Sequence, residues 1–480
     1  MSQPGRRPAR GTALLAVLSL VCAFLALRPA GSGAAVATTA RPLWSPDRLP
    51  ALLAEAQGTV DLGRAVDQLL AGAGGRSCLA VYEGDRPVLL RRPDDALTPA
   101  STQKILLATA ALAVLGPDFR YETKLVSDAP PHDGAVGTLW LVGSGDPTLA
   151  TPEYAAWLKS KPRYELRQAT PLAALAEGLA SAGVHTVTGA VVGDDSRYDR
   201  ARTVPTWKPD YIAENEVGPL GALLVDDGFT RFEPPEQRAP DPAAHAAAAL
   251  TRLAGAGGVA VAGPPAAGTA PAGTTTIATV RSAPLSDIVA GILRESDNTA
   301  AELVTRELGV AREQAGSTAA GTQAVADALA AAGLPTAGLR LGDGSGLEIT
   351  NRASCALLAA VLRHPGRPGS PPLTDLLAVA GRTGTLVQRL AGTPLDGKLR
   401  AKTGSLDGVS GLAGYLDGRR ALSFALLANG NLNDAAGRLL QDRMVALLAA
   451  YPGPQPRLGT GNTVGARVQR RETQGQEPDR

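Results

Sequence analysis

The feature that most restricts this chain is an apolar run, Ile105-Leu106-Leu107-Ala108-Thr109-Ala110-Ala111-Leu112-Ala113-Val114-Leu115, closed by Gly116-Pro117. It is too long for a typical strand, it is rich in Ala and Leu, and Gly-Pro is a stop, so it predicts a buried helix. Leu97-Thr98-Pro99-Ala100-Ser101-Thr102-Gln103-Lys104 leads into it. Ser101 falls at the helix start, where free N–H groups and the helix dipole favour negative charge. Lys104 is three residues on and shares its face. A hydroxyl and an amine held together among apolar neighbours can form a nucleophile and its base. Alone the pairing says little, because a serine at a helix start is commonly just a cap. It gains weight because lysine is scarce. Of Lys104, Lys124, Lys159, Lys161, Lys208, Lys398 and Lys402, only Lys104 follows a serine by three.

The 480 residues exceed one ordinary domain. A hydrophobic fraction of 44% is enough for a sizeable core. Lys plus Arg against Asp plus Glu is 47 to 45, a balance that gives no support for a nucleic-acid partner. Arg6, Arg7 and Arg10 precede the apolar stretch Ala13 to Leu27, and Ala35-Val36-Ala37 fits a cleavage site. Residues 1–37 therefore predict a signal peptide or N-terminal membrane anchor, and an exported protein of the cell envelope or the extracellular space. Cys78 and Cys355 remain in the mature chain. Their spacing suggests no metal site, and their apolar surroundings read as two core thiols rather than a disulfide.

Residues 38–60 read as a loose leader, followed by a helix from Leu62 to Leu70. Strands at Ser77 to Tyr82 and Pro87 to Leu90 flank a hairpin turn, Glu83-Gly84-Asp85. Past Gly116 the pattern turns to short strands, Thr123 to Ser127, Gly137 to Val142 and His185 to Val192. Residues 119–275 are thus predicted as an inserted, strand-rich region. Helices follow at Leu285 to Arg294, Thr299 to Leu308, Gln323 to Ala332 and Ser354 to Leu362. Strands Lys398 to Thr403, Ser410 to Leu416 and Ala421 to Leu427 carry hairpin signals and predict antiparallel pairing. A last helix covers Ala435 to Leu448. Segments 61–118 and 276–451 make one discontinuous domain, and 452–480, rich in Gly, Pro, Gln and Arg, reads as a disordered tail.

Three short motifs occur in order: Ser101-Thr102-Gln103-Lys104, Ser296-Asp297-Asn298 and Lys402-Thr403-Gly404. Each is weak alone. Together they place one element at a helix start, one on a helix–helix link and one on a strand, the contexts their roles need. With Pro99-Ala100-Ser101, Gly143-Ser144-Gly145-Asp146-Pro147, Asp343-Gly344-Ser345-Gly346-Leu347, Asn351-Arg352, Gly384-Thr385-Leu386 and Gly414-Tyr415, the chain resembles the low-molecular-mass class C penicillin-binding proteins, the D-alanyl-D-alanine carboxypeptidase/endopeptidase family. Ser101 and Ser296 lie 195 positions apart, which matches that family's placement of extra domains. Glu348 stands where the family pattern leads one to expect serine.

The resemblance implies an α+β, penicillin-recognising serine transpeptidase/β-lactamase-like fold: an antiparallel sheet flanked by helices, an all-helical lobe and an inserted strand-rich domain. It implies a serine-type peptidase acting on peptidoglycan stem peptides, with no cofactor and no metal, acylated by β-lactams that act as inhibitors. Ser101 is the expected nucleophile. Lys104 can serve as its base only when neutral, a state that burial and the charge of Lys402 favour. Ser296 can relay a proton to the leaving group, and Asn298 can orient substrate or hold Lys104. Lys402 and Thr403 can bind a terminal carboxylate. Gly404 is expected to let substrate lie against the strand, and the N–H groups of Ser101 and Ser405 to form an oxyanion hole. The competing readings are a β-lactamase and a catalytically silent penicillin-binding sensor. A metallopeptidase does not fit, because His132, His185, His245 and His364 have no ligand spacing. A Ser-His-Asp hydrolase lacks its Gly-x-Ser-x-Gly elbow.

Overall fold

The first element among the described residues is a long helix, α1 (Leu49–Ala73), where the sequence reads as a leader up to residue 60. Ala51 to Ala56 are nearly all strong helix formers, and they carry the helix back a further three turns. Gly58 in this stretch has a packing reason: a Cβ there would lie 2.2 Å from the carbonyl oxygen of Pro452. The computed structural model describes residues 49–456. The predicted signal or anchor over 1–37 and most of the predicted tail lie outside the described residues. Among the described residues no helix is long and apolar enough to cross a membrane.

The hairpin β1 (Arg76–Glu83) and β2 (Arg86–Arg91) turns at Gly84, which has a positive φ of 57°. A single 3-10 turn, Ala100–Gln103, then leads into α2 (Lys104–Val114). The insertion follows. It contributes β3 (Glu122–Ser127), β4 (Leu139–Val142), α3 (Pro152–Lys159), α4 (Ala173–Ser181), β5 (Val191–Asp194), α5 (Pro242–Ala256), β6 (Ala266–Ala267) and β7 (Thr275–Arg281). These strands form a sheet in the order β6-β5-β4-β3-β7. Its core holds Leu125, Leu139, Leu141 and Val191 against Leu175, Leu179, Ala246 and Leu250 of α4 and α5.

Two departures from the sequence reading occur here. The strand expected over His185 to Val192 is two: Thr186–Val187 joins a small parallel sheet, and the chain changes sheets at Gly189 to enter β5. At Gly189 a Cβ would sit 2.6 Å from Thr138 Oγ1, so only glycine makes that crossing. The strand β7, which no pattern marks, pairs antiparallel with β3.

Four helices come next: α6 (Leu285–Glu295), α7 (Asn298–Glu313), α8 (Thr318–Ala331) and α9 (Cys355–Arg363). The chain closes with β8 (Ala378–Val379), β9 (Leu399–Leu406), β10 (Val409–Asp417), β11 (Ala421–Asn429) and α10 (Asp434–Ala450). The main sheet runs β8-β9-β10-β11-β1-β2, antiparallel throughout. Its two faces follow from the two-residue period of a strand. Cys78 and Ala80 of β1 point into the lobe of α2 and α6 to α9. Leu79 and Val81 point the other way, against α1 and α10. The helix α2 is apolar around its circumference, so it lies at the centre of that lobe, with Ile105, Leu106 and Ala111 fully buried.

Cys78 and Cys355 form a disulfide, with Cα atoms 5.8 Å apart, and are not the free core thiols expected. The bridge joins β1 to the first residue of α9, elements separated by 277 positions. No local spacing could have shown that they meet.

Candidate active site

The three motifs converge. Lys104, at the first turn of α2, is fully buried, and its Nζ lies 2.9 Å from Ser101 Oγ. The same Nζ donates to Asn298 Oδ1 at 2.6 Å and to the Ser345 carbonyl at 2.5 Å. A neutral amine has two N–H bonds and one lone pair. Two acceptors and one hydroxyl match that set. Burial lowers Lys104 to about 8, against the opposing pull of Asp343, Glu302, Asp297 and Glu216. Burial is the leading cause, and repulsion between the ammonium forms of Lys104 and Lys402 acts in the same direction. The repulsion is felt at Lys402, which burial, Lys104 and Arg163 push well below the ordinary lysine range. Two buried amines in one site cannot both hold a proton at low cost.

Lys402 stands on β9 and is fully buried. Its Nζ donates to Ser296 Oγ at 2.8 Å and to the Thr403 carbonyl at 2.8 Å. Ser296 ends α6 in the left-handed conformation, φ 66°. Asp297 then caps α7, accepting from Ala300 N at 2.9 Å. Asn298 Nδ2 donates to the Glu216 carbonyl at 2.7 Å, so its amide in this state holds Lys104 rather than facing outward.

Ser101, Ser296, Asn298, Thr403, Gly404 and Ser405 all line one cavity of about 1040 Å³, with Lys104 and Lys402 buried behind its wall. Thr403 Oγ1 lies 3.4 Å from Thr385 Oγ1, and Ser405 Oγ donates to Asp434 Oδ1 at 2.9 Å. Gly404 lines the cavity, but the reason for its glycine differs from the one expected. A Cβ there would lie 2.8 Å from the Pro99 carbonyl and 3.1 Å from Thr102 N. The missing side chain lets the Ser101 turn approach the strand.

Further partners hold the site together, some of them with no local signal in the sequence. Asp343, fully buried, accepts from Trp207 Nε1 (2.8 Å), Gly346 N (2.9 Å), Glu348 N (2.7 Å) and Asn351 Nδ2 (2.7 Å). Gln103 Nε2 donates to its carbonyl at 2.5 Å, which joins the first motif to this loop. Glu302 Oε1 accepts from Gly344 N and Ser345 N at 2.9 and 2.7 Å. The loop so held presents the Ser345 carbonyl to Lys104. From the insertion, the segment that follows Trp207 straddles the cavity rim: Lys208 pairs with Asp407 at 2.6 Å, and Gly218 N donates to Thr299 Oγ1 at 2.8 Å. The Asp343 loop was visible as a motif. Trp207, Lys208 and Glu216 lie over a hundred positions from Ser101, beyond any local pattern.

A model of the D-Ala-D-Ala carboxypeptidase 3 (S13) family matches residues 66–241 and 233–451. The chain belongs to this family. A family relative, a carboxypeptidase of Mycobacterium tuberculosis, is 36% identical over 356 residues, covering 71% of this chain and 73% of that one. The D-alanyl-D-alanine carboxypeptidase of an Actinomadura species is 30% identical over 463 residues, covering 79% and 81%. Penicillin-binding protein 4 of Haemophilus influenzae has the same fold, with TM-score 0.68 at 21% identity over 81% of this chain and 99% of that one. Its complex with a β-lactam gives TM-score 0.63 at 20% identity over 82% and 99%. The expected penicillin-recognising α+β fold and the expected D-Ala-D-Ala carboxypeptidase activity class therefore both hold for this S13 peptidase.

Proposed function

We propose that this S13 peptidase cleaves the terminal D-Ala-D-Ala bond of peptidoglycan stem peptides through an acyl-enzyme on Ser101. The observation that carries this reading is the buried Lys104 amine, 2.9 Å from Ser101 Oγ and lowered to about 8. Lys104 takes the Ser101 proton as Oγ attacks the carbonyl carbon. The N–H groups of Ser101 and Ser405, both at the cavity wall, receive the developing oxyanion. Ser296, backed by Lys402, passes a proton to the departing D-Ala amine. Thr403 and Lys402 take the substrate carboxylate, and water then releases the shortened peptide. β-Lactams acylate Ser101 by the same attack. The cavity, at about 1040 Å³, also has room for a cross-linked stem peptide, which supports D,D-endopeptidase cleavage.

The test is mass spectrometry after exposure to benzylpenicillin, paired with D-Ala release from a pentapeptide. One adduct on the peptide carrying Ser101, and no D-Ala release by Ser101→Ala, are expected. Label elsewhere, or D-Ala release by S101A, would end the reading. Fast nitrocefin turnover, without a lasting acyl-enzyme, would point instead to a β-lactamase. A labelled protein that releases no D-Ala would point to a sensor.

Export belongs with this reading. Arg6, Arg7 and Arg10 ahead of an apolar stretch fit a secretory signal. The Cys78–Cys355 disulfide suits an oxidising compartment. Cell fractionation that leaves the protein in the cytoplasm would count against it.

A further inference from the structure

The sequence gives the insertion no task at the chemistry, but one of its side chains reaches the Ser296-Asp297-Asn298 turn. Asp297 spends Oδ1 on the α7 cap, and its Oδ2 lies 2.5 Å from Arg167 Nη2. The same nitrogen is 3.1 Å from Asp227 Oδ2, and Arg167 Nε is 3.8 Å from Glu295 Oε2. Arg163 Nη2 adds a bond to the Glu295 carbonyl at 2.5 Å. Arg163, Arg167 and Asp227 come from the insertion; Glu295 and Asp297 bracket Ser296. The cluster borders the same cavity as Ser101 yet is largely covered, with the side chains of Arg167 10%, Asp297 8% and Glu295 3% exposed. Between them Ser296 holds a left-handed conformation that is strained for a non-glycine residue, so its surroundings must impose it.

We propose that Arg167 is a positioning residue: by gripping Asp297 it holds the turn that presents Ser296 Oγ to Lys402 and Asn298 Oδ1 to Lys104. The insertion is then a working part of the peptidase site. This rests on the reading of Ser101 and Lys104 as the reacting pair. Arg167 touches neither of them.

The charges facing Asp297 come from several elements: Lys104 on α2, Tyr154 on α3, Arg163 and Arg167 after it, Asp227 and Arg238 from the insertion, and Glu295 on α6. Burial pushes Asp297 upward, and Arg167 is the chief influence holding it down. Glu295 is raised to about 8 by burial and is therefore protonated at neutral pH. With Glu295 neutral, Arg167 is the cation that touches both remaining carboxylates, Asp227 at 3.1 Å and Asp297 at 2.5 Å, while Arg238 bonds the Asp227 carbonyl. Without Arg167, Asp297 is a buried carboxylate lacking its counter-charge, and its affinity for a proton rises further.

The test is a double-mutant cycle on R167M, D297N and R167M/D297N, with R167K as the conservative variant. The readouts are the second-order rate of Ser101 acylation by benzylpenicillin across pH, and the unfolding midpoint. R167M is expected to acylate about tenfold or more slowly, with R167K recovering part of the loss. R167M alone should show an added ionisation, displaced upward from the ordinary carboxylate range and absent from wild type and from the double variant. The double variant should be within about twofold of D297N, because both changes break one link. A wild-type rate and pH profile in R167M, or losses that multiply in the double variant, would overturn the proposal. Should R167M fail to fold, R167K enters the cycle in its place under the same criteria. An unlabelled Ser101 in wild type would remove the site reading and this proposal together. A labelled wild type with multiplying losses would remove only the role of Arg167.

Discussion

The proposed reaction turns on the protonation of one amine. Lys104 at about 8 lies below the ordinary lysine value because burial penalises the ammonium. At pH 7 only about a tenth of the molecules carry the neutral base. Acylation of Ser101 should therefore rise about tenfold between pH 7 and the plateau, with its half-point near 8. A stopped-flow rate that is flat from pH 6 to 9 would refute a titrating Lys104 base. The sign for stability follows from the same shift. The unfolded chain binds more protons than the folded one between about pH 8 and 10.4, so this residue's effect on stability becomes more favourable as pH rises through that window. A neighbouring residue gives a sharper geometric test. A Cβ at Gly404 would come within 2.8 Å of the Pro99 carbonyl, closer than any real contact, so G404A must push the Ser101 turn away from β9. The expected outcome is a loss of about tenfold or more in acylation rate with the fold retained, since a displacement of under an ångström is enough to misplace a nucleophile. Wild-type acylation by G404A, with a crystal structure showing the turn unmoved, would contradict this.

At the scale of elements, the site is the meeting of a helix tip, a helix–helix link and a strand, and the loop from Asp343 to Asn351 is what aligns them. The Asp343 carboxylate accepts from six residues: Gln103, Trp207, Ser345, Gly346, Glu348 and Asn351. In D343A those buried donors lose their acceptor together, at about 1–3 kcal/mol for each that finds no substitute. A loss above about 4 kcal/mol is expected in chemical denaturation, and the displaced Ser345 carbonyl should slow acylation in any protein that folds. A loss under about 1 kcal/mol would show that the loop is not the alignment device. The same loop shows which parts of the site were legible. Asp343-Gly344-Ser345-Gly346 could be read as a motif, and the serine–lysine pair as a spacing, because both rest on residues close in sequence. The left-handed Ser296 and the reason for Gly404 could not be read, because they are properties of packed elements. Trp207, Glu216 and Arg167 left no trace either. Their partners lie in a different part of the chain, and nothing near them in sequence distinguishes them from surface residues.

For the whole molecule, the sheet was readable for a simple reason. Cys78-Leu79-Ala80-Val81 is apolar at every position because both faces of β1 are covered, by the helical lobe on one side and by α1 and α10 on the other. The insertion was readable as a change of pattern. Its end was not, because β7 presents a mixed surface and takes its place only by pairing with β3. A covalent closure of the chain was also missed. The Cys78–Cys355 bridge ties the N-terminal hairpin to α9 across 277 positions, a loop that contains the whole insertion and the first two motifs. A cross-link over so long a loop restricts the unfolded chain strongly, and its removal is expected to cost about 2–4 kcal/mol. Both cysteines are fully buried, so reductant alone should act slowly on the folded protein, and the cleaner comparison is C78A/C355A against wild type in denaturant. The variant should unfold at a lower midpoint with an unchanged or larger slope. It should still be acylated at Ser101, because neither cysteine is among the residues lining the cavity. Equal midpoints for the two proteins would mean that the packing of β1 against α9 suffices without the bond. A variant that folds but is not acylated would mean that the bridge also sets the position of α2.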